Sequence, residues 1–198
     1  MKQVVIAGIL GGIVVFVWGF ISWVVLPWHN YSMQTLPQEE RLVGEMRGLQ
    51  LETGVYFFPG MAESSDEENA RKNEEVWAEN HRQGPIGMIF YHREGTEPMS
   101  PGVFILGILI AIIAAGVAAA LLKISVNQIS SYGKRVAFVA MIGLFSVIAV
   151  PIYNWNWLYI PATYTIIAVL DLFITWVLAG LVIAWRVKPT MPISKATL

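Results

Sequence analysis

The sequence predicts an α-helical integral membrane protein: four transmembrane helices, with a small α+β domain inserted between the first and the second. Three observations carry that prediction. The 198 residues are 56% hydrophobic and only 14% charged, against about a quarter charged in soluble domains, and the apolar residues gather into four runs. One stretch, 27–101, is 75 residues long and holds thirteen of the fourteen carboxylates and all three histidines. The basic residues outside it, Lys2, Lys123, Lys134, Arg135, Arg186, Lys188 and Lys195, all fall at one set of span ends, and no acid joins them.

The first segment, 1–26, is read as a span. Positions 4–26 carry no charge, and about 20 apolar residues suffice to cross a hydrocarbon core. A cleaved signal peptide has a shorter apolar region followed by a small-residue cleavage site. Trp23, Pro27 and Trp28 stand there instead, so the segment reads as an uncleaved signal anchor. Gly8 and Gly12 form a GxxxG step that admits a neighbouring helix. Trp28 and His29 at its far end are expected interface anchors.

The inserted domain, 27–101, alternates helix and strand signals. Pro37 with Glu39 and Glu40 marks a helix start, and Leu42, Val43, Met46 and Leu49 share one helical face. Val55 to Phe58 is a strand, stopped by Pro59-Gly60. Ser65 and Glu68 match a capping box for a polar helix that runs to Arg82, with Glu67/Arg71 and Glu68/Lys72 at i,i+4. Ile86 to Arg93 is the second strand. The order points to a right-handed β-α-β crossover. With only two strands the domain must lean on the bilayer, the bundle or another subunit.

The remainder, 102–198, holds three spans at 102–122, 136–152 and 162–185. Gly107, Ala111, Ala115 and Ala119 give the second span a small-residue packing face. The third and fourth are joined by an aromatic turn whose Trp155 and Trp157 are expected at an interface. The positive-inside rule then places both termini in the cytoplasm. The domain 27–101 falls outside, which in a bacterium means an inner-membrane protein with a periplasmic domain.

Composition and motifs exclude several functions. The chain has no cysteine, which removes disulfides, thiolate catalysis and Cys-based metal sites. A net charge of −1 offers nucleic acid no bulk attraction. No GxxxxGK[ST] or GxGxxG follows a strand, so no nucleotide is expected, and serine-nucleophile and HExxH motifs are absent. His29, His81 and His92, with five methionines nearby in sequence, are the candidate metal ligands. They lack helical ligand spacing, so no metal or other cofactor is expected. Seven acids between Glu63 and Glu79 read as a solvated helix face, without a calcium-loop pattern.

Asp171 is the one ionisable side chain in a predicted span, where a charge costs roughly 2.5–3.5 kcal/mol. It shares a helical face with Tyr164 and Thr175. No Lys, Arg or His of the spans is expected to pair with it. It is therefore read as protonated, hydrogen-bonded to a hydroxyl such as Ser22, Thr175 or Ser146, or paired with another subunit. A proton or cation relay needs several polar groups in series, so one packing hydrogen bond is the expected role.

One long outer loop after the first of four spans resembles claudin-like tetraspan proteins in topology alone. The Trp/Gly-Leu-Trp/Cys/Cys signature of that family is missing, and no activity is carried over. The expected function is non-enzymatic: an accessory, scaffold or assembly subunit, with the lipid bilayer, other membrane subunits or a second copy as partners. The alternatives are an oligomeric transporter or channel component using Asp171, and a membrane enzyme acting through His29, His81 or His92. Single cysteines placed at Ser64, Ser131 and Ser194 test the topology. Ser64→Cys is expected to react with an impermeant maleimide on intact cells and the other two are not; labelling of Ser131→Cys would reverse the orientation.

Overall fold

The computed structural model describes residues 1–189; Ser194 and Lys195 lie outside the described residues. In chain order the elements are α1 (Lys2–Phe20), α2 (Glu39–Gly48), β1 (Gly54–Phe58), α3 (Glu67–Gln83), β2 (Gly87–Tyr91), α4 (Pro101–Ser125), α5 (Tyr132–Val147), α6 (Tyr153–Trp157) and α7 (Ala162–Arg186). They divide into two units. One contains residues 1–34, 98–155 and the described residues from 161 on; the other contains 35–97 together with 156–160.

Four helices are long and apolar enough to cross a membrane: Lys2–Val25, Pro101–Ser125, Tyr132–Trp157 and Ala162–Arg186. The third differs most from its expected bounds of 136–152. Ser131 caps its start, its hydroxyl accepting from the Lys134 amide at 3.2 Å, so the helix begins at Tyr132. Pro151 does not end it. A proline removes one amide donor, and the chain absorbs the loss in a π-helical turn, Ile148–Ile152, before α6 resumes. The aromatic run Tyr153–Trp157 therefore belongs to the helix, and the turn is confined to the residues that follow.

Helix α1 packs on both α4 and α7, because glycines open two sides of it. A Cβ on Gly8 would lie 2.9 Å from Gly116 Cα, and one on Gly12 would lie 2.5 Å from Ile112 Cα. Gly11 faces Ile183 of α7 in the same way. Gly143 against Trp176 and Gly180 against Val139 bring α5 onto α7. Helices in lipid gain by such close packing, since leaving water offers them nothing further. Ala111, Ala115 and Ala119 are buried in this core with Leu122, Val139 and Ile183. Gly107 sits at its margin, near Phe16. At one end Arg135 is buried and donates to the carbonyls of Ala184 and Ser130; the first is an acceptor that the end of α7 leaves over.

In the second unit β1 and β2 pair antiparallel, from Gly54 opposite Tyr91 to Phe58 opposite Gly87. This corrects the expected β-α-β crossover, which requires parallel strands. The reason lies in the connection. Residues 59–66 lead away from β1, and α3, 17 residues long, returns beside them. Two bonds show the arms side by side in opposite senses: Asn73 Nδ2 donates to the Ala62 carbonyl at 3.0 Å, and Trp77 Nε1 to the Pro59 carbonyl at 3.1 Å. The connection closes on itself, so the strands meet as a hairpin does.

The cap of α3 is also corrected. Asp66, and not Ser65, accepts from the Asn69 amide at 3.0 Å. The exposed pairs Glu68–Lys72 and Glu67–Arg71 are present on its surface; such pairs add at most about 1 kcal/mol. Hydrogen bonds from Gln83 and Arg82 hold the Glu79 carboxyl below the usual carboxylate range. Helix α2 starts at Glu39, after Gln38 in the left-handed conformation, and buries none of its residues.

The backbone approach at Gly12 generates a stability prediction. Gly12→Leu is expected to lower bundle stability by about 1–3 kcal/mol, the usual cost of overpacking, while Leu10→Ile changes it little. Thermal unfolding in detergent measures both. Equal melting of the two variants would remove Gly12 from the interface.

Candidate functional site

Four polar side chains of the helical unit, Trp18, Ser22, His29 and Asp171, meet where α1 ends. The helix widens there into a π turn, Ile21–Val25, closed by the Leu26 amide on the Ile21 carbonyl at 2.9 Å. Such turns recur at functional sites because they redirect side chains. Pro27 then opens a 3₁₀ turn, Pro27–Tyr31, which folds the chain back over the helix end. As a result His29, seven residues after Ser22, comes to rest beside it.

The resulting cluster is dense. His29 Nε2 lies 3.0 Å from the Ser22 hydroxyl. Trp28 Nε1 donates to both the Ser22 carbonyl at 3.0 Å and its hydroxyl at 3.1 Å. The Trp23 ring stacks on His29 with centroids 3.8 Å apart and planes 10° from parallel, and Trp28 meets the imidazole edge-on. From α7, Asp171 Oδ1 accepts from Trp18 Nε1 at 2.7 Å, and its Oδ2 lies 3.7 Å from His29 Nε2. Beside these groups is a pocket of about 150 Å³ lined by Trp23, His29, Tyr164, Asp171 and Thr175 among others.

Several site residues stand differently from their expected places. Asp171 has a histidine in reach after all, although His29 belongs to the turn and not to a predicted span. None of the proposed hydroxyls touches the carboxylate. Thr175 donates to the Asp171 backbone carbonyl at 2.8 Å, Ser146 to that of Ile142, and Ser22 is engaged by His29 and Trp28. The donor is Trp18, four residues before Ser22 and so on the same helical face; its indole N–H needs a partner when buried, and that spacing was the available signal. His29, expected as an interface anchor beside Trp28, is itself buried.

The other candidates are engaged separately. His81 packs between Trp77 and Tyr159, with 5.2 Å to each ring centroid. His92 Nδ1 lies 2.6 Å from the Glu94 carbonyl. Trp155 and Trp157 are exposed. No three His, Asp or Glu side chains gather around one position among the described residues.

Hydrogen-bond counting limits what the cluster can do. The Ser22 hydroxyl accepts from Trp28 and lies 3.0 Å from His29 Nε2, where it donates or accepts according to the imidazole tautomer. The cluster places both the Ser22 hydroxyl and the Asp171 carboxyl beside the same ring nitrogen, Nε2. It does not form a nucleophilic triad. That arrangement needs base and carboxylate on opposite ring nitrogens, whereas Ser22 and Asp171 both face Nε2, and Ser22 is fully buried.

Trp18→Phe keeps most of the ring and deletes the donor to Asp171. It is expected to cost about 0.6–2 kcal/mol, the range for hydrogen bonds between membrane helices, while Asp171→Asn, which still accepts from Trp18, is nearly silent and Asp171→Leu matches Trp18→Phe. Denaturation in mixed micelles ranks the three; a fully stable Asp171→Leu protein would make the bond dispensable.

Compared with known protein families, curated proteins and solved structures, the chain matches none of them.

Proposed function

We propose that the chain is a non-enzymatic integral membrane protein, an accessory or assembly subunit that contacts partner proteins through its inserted domain and its outer helix faces. The bilayer of this reading is a plasma membrane, the inner one in a bacterium, with residues 27–101 on the periplasmic or extracellular side. The observation that carries the reading is how the polar side chains of the bundle are used. No buried polar side-chain atom lacks a partner among the described residues. The hydrophobic core consists of Ala7, Ala115, Ala118, Ala119, Leu122, Val126, Val139, Ala179, Ile183, Ala184 and Val187, and the buried polar side chains outside the cluster, Arg135 and Thr165, sit near helix starts and donate to backbone carbonyls. A transported ion or proton would find no series of polar groups there.

Much of the small-residue surface read from the sequence is occupied within the chain, since Gly8, Gly12, Ala111, Ala115 and Ala119 pack in the core. Contact with a partner helix then falls to the apolar groove of about 640 Å³ between α1 and α4, where Gly19 and Gly107 leave space between Phe16, Phe20 and Phe104. A second reading, an oligomeric transporter or channel component using Asp171, is favoured by one observation: the 3.7 Å approach of His29 to Asp171. The enzyme reading through His29, His81 or His92 has no comparable support, because each histidine is bound to its own neighbours.

The chain, tagged and solubilised in mild detergent, is expected to bring down a defined membrane partner. Gly19→Trp, which fills the groove, is expected to weaken that capture at least tenfold without changing the melting temperature. Purification as a bare monomer, with proton flux into vesicles that Asp171→Asn abolishes, would replace this reading with the transport one.

A further inference from the structure

We propose that the open side of the two-stranded sheet is a lipid-docking surface, inserted at the boundary between the headgroups and acyl chains of the bilayer. The antiparallel register sets Val55 opposite Phe90 and Phe57 opposite Met88, and alternate residues of a strand share a face. These four side chains therefore form one side of the sheet, without a charge among them. Val55 is 57% exposed, Phe57 67% and Phe90 78%. The opposite side carries Tyr56, Ile89 and Tyr91, all half-buried, with the two tyrosine rings in contact. A sheet facing water on one side turns its polar residues outward; this one turns its most apolar residues outward.

The apolar side continues past the strand ends. Phe57 and Met88 also line a pocket of about 280 Å³ with Trp77, Trp157 and Tyr159. Trp157 is the last residue of the third apolar helix, and Ala162 the first of the fourth. Trp157 and Tyr159 are themselves exposed, and Trp and Tyr at the ends of membrane helices settle at headgroup level. A surface continuous with them within one compact unit lies at the same depth, where apolar faces insert about 5–10 Å. The nearest charges past the strand ends, Glu52 and Arg93, pair with each other, and the rest of the unit's acids lie chiefly on α2 and α3. That covalent continuity with two spans favours lipid over a second copy or a soluble partner.

The inference rests on the four helices crossing a membrane and is independent of the accessory-subunit reading. The absence of native cysteine lets nitroxide spin labels be placed singly by Phe57→Cys and Phe90→Cys, with Glu74→Cys on α3 and Ile113→Cys on α4 as references, in phosphatidylcholine nanodiscs. Labels at 57 and 90 are expected to collide with oxygen at least fivefold more than with an aqueous nickel chelate, as at 113, and the label at 74 the reverse. Nickel access at 57 and 90 would show a solvated face and overturn the proposal. So would protection from both agents with spin–spin coupling between copies, which marks a dimer interface. Nickel access at 113 would instead refute the membrane spans. If Phe57→Cys does not fold, Val55→Cys on the same side replaces it.

Discussion

Three glycines within two turns of α1 set the distances on which the helical unit depends. Gly8 and Gly12 let its backbone approach Ile112 and Gly116 of α4, and Gly11 admits Ile183 of α7 between them. A side chain at any of these positions would push two helices apart at once. Because α1 is held against α7 along its length, the donor at Trp18 reaches Asp171 at 2.7 Å. The polar cluster is thus a consequence of apolar packing several turns away.

The second constraint is the low dielectric around Asp171. A carboxyl group among apolar helices must find donors, and a bundle core of alanine, valine and leucine has none to offer. The chain supplies one from α1 itself, Trp18, and folds its own connection back to set His29 within 3.7 Å of the same carboxyl. The π turn at Ile21–Val25 and the 3₁₀ turn after Pro27 bring Trp28 and His29 over the helix end, where Ser22 links them. Each member has two roles: Ser22 accepts from Trp28 and engages His29, and Trp23 both stacks on His29 and walls the small pocket beside Asp171. Such mutual occupancy holds the side chains in place, and it leaves no nucleophile free.

The inserted unit obeys different economics. Its two strands are too few to cover both faces, α2 and α3 bury no residue fully, and its most apolar sheet face is open. A soluble domain of this kind would be a liability for aggregation. Next to a bilayer the same face has a solvent of matching polarity, so the unit lacks the core that an independent domain must build.

The sequence by itself determined what depends on local composition: four apolar stretches long enough to span, a charged insertion between the first two, and the lone acid in the last. Helix length and hydropathy are properties of contiguous residues, so Lys2–Val25 and Ala162–Arg186 were legible almost to the residue. Tertiary structure decided what depends on residues far apart in the chain. Antiparallel pairing of Gly54–Phe58 with Gly87–Tyr91 follows from a connection that runs out and back on itself, tied by Asn73 to Ala62 and Trp77 to Pro59, which no strand propensity contains. The partnership of Trp18 with Asp171 spans 153 positions and exists only because glycine spacing sets how closely helices approach. His29 is polar and lies outside the apolar run, which reads locally as an interfacial residue; a π turn, which has no clear sequence signature, is what turns it inward.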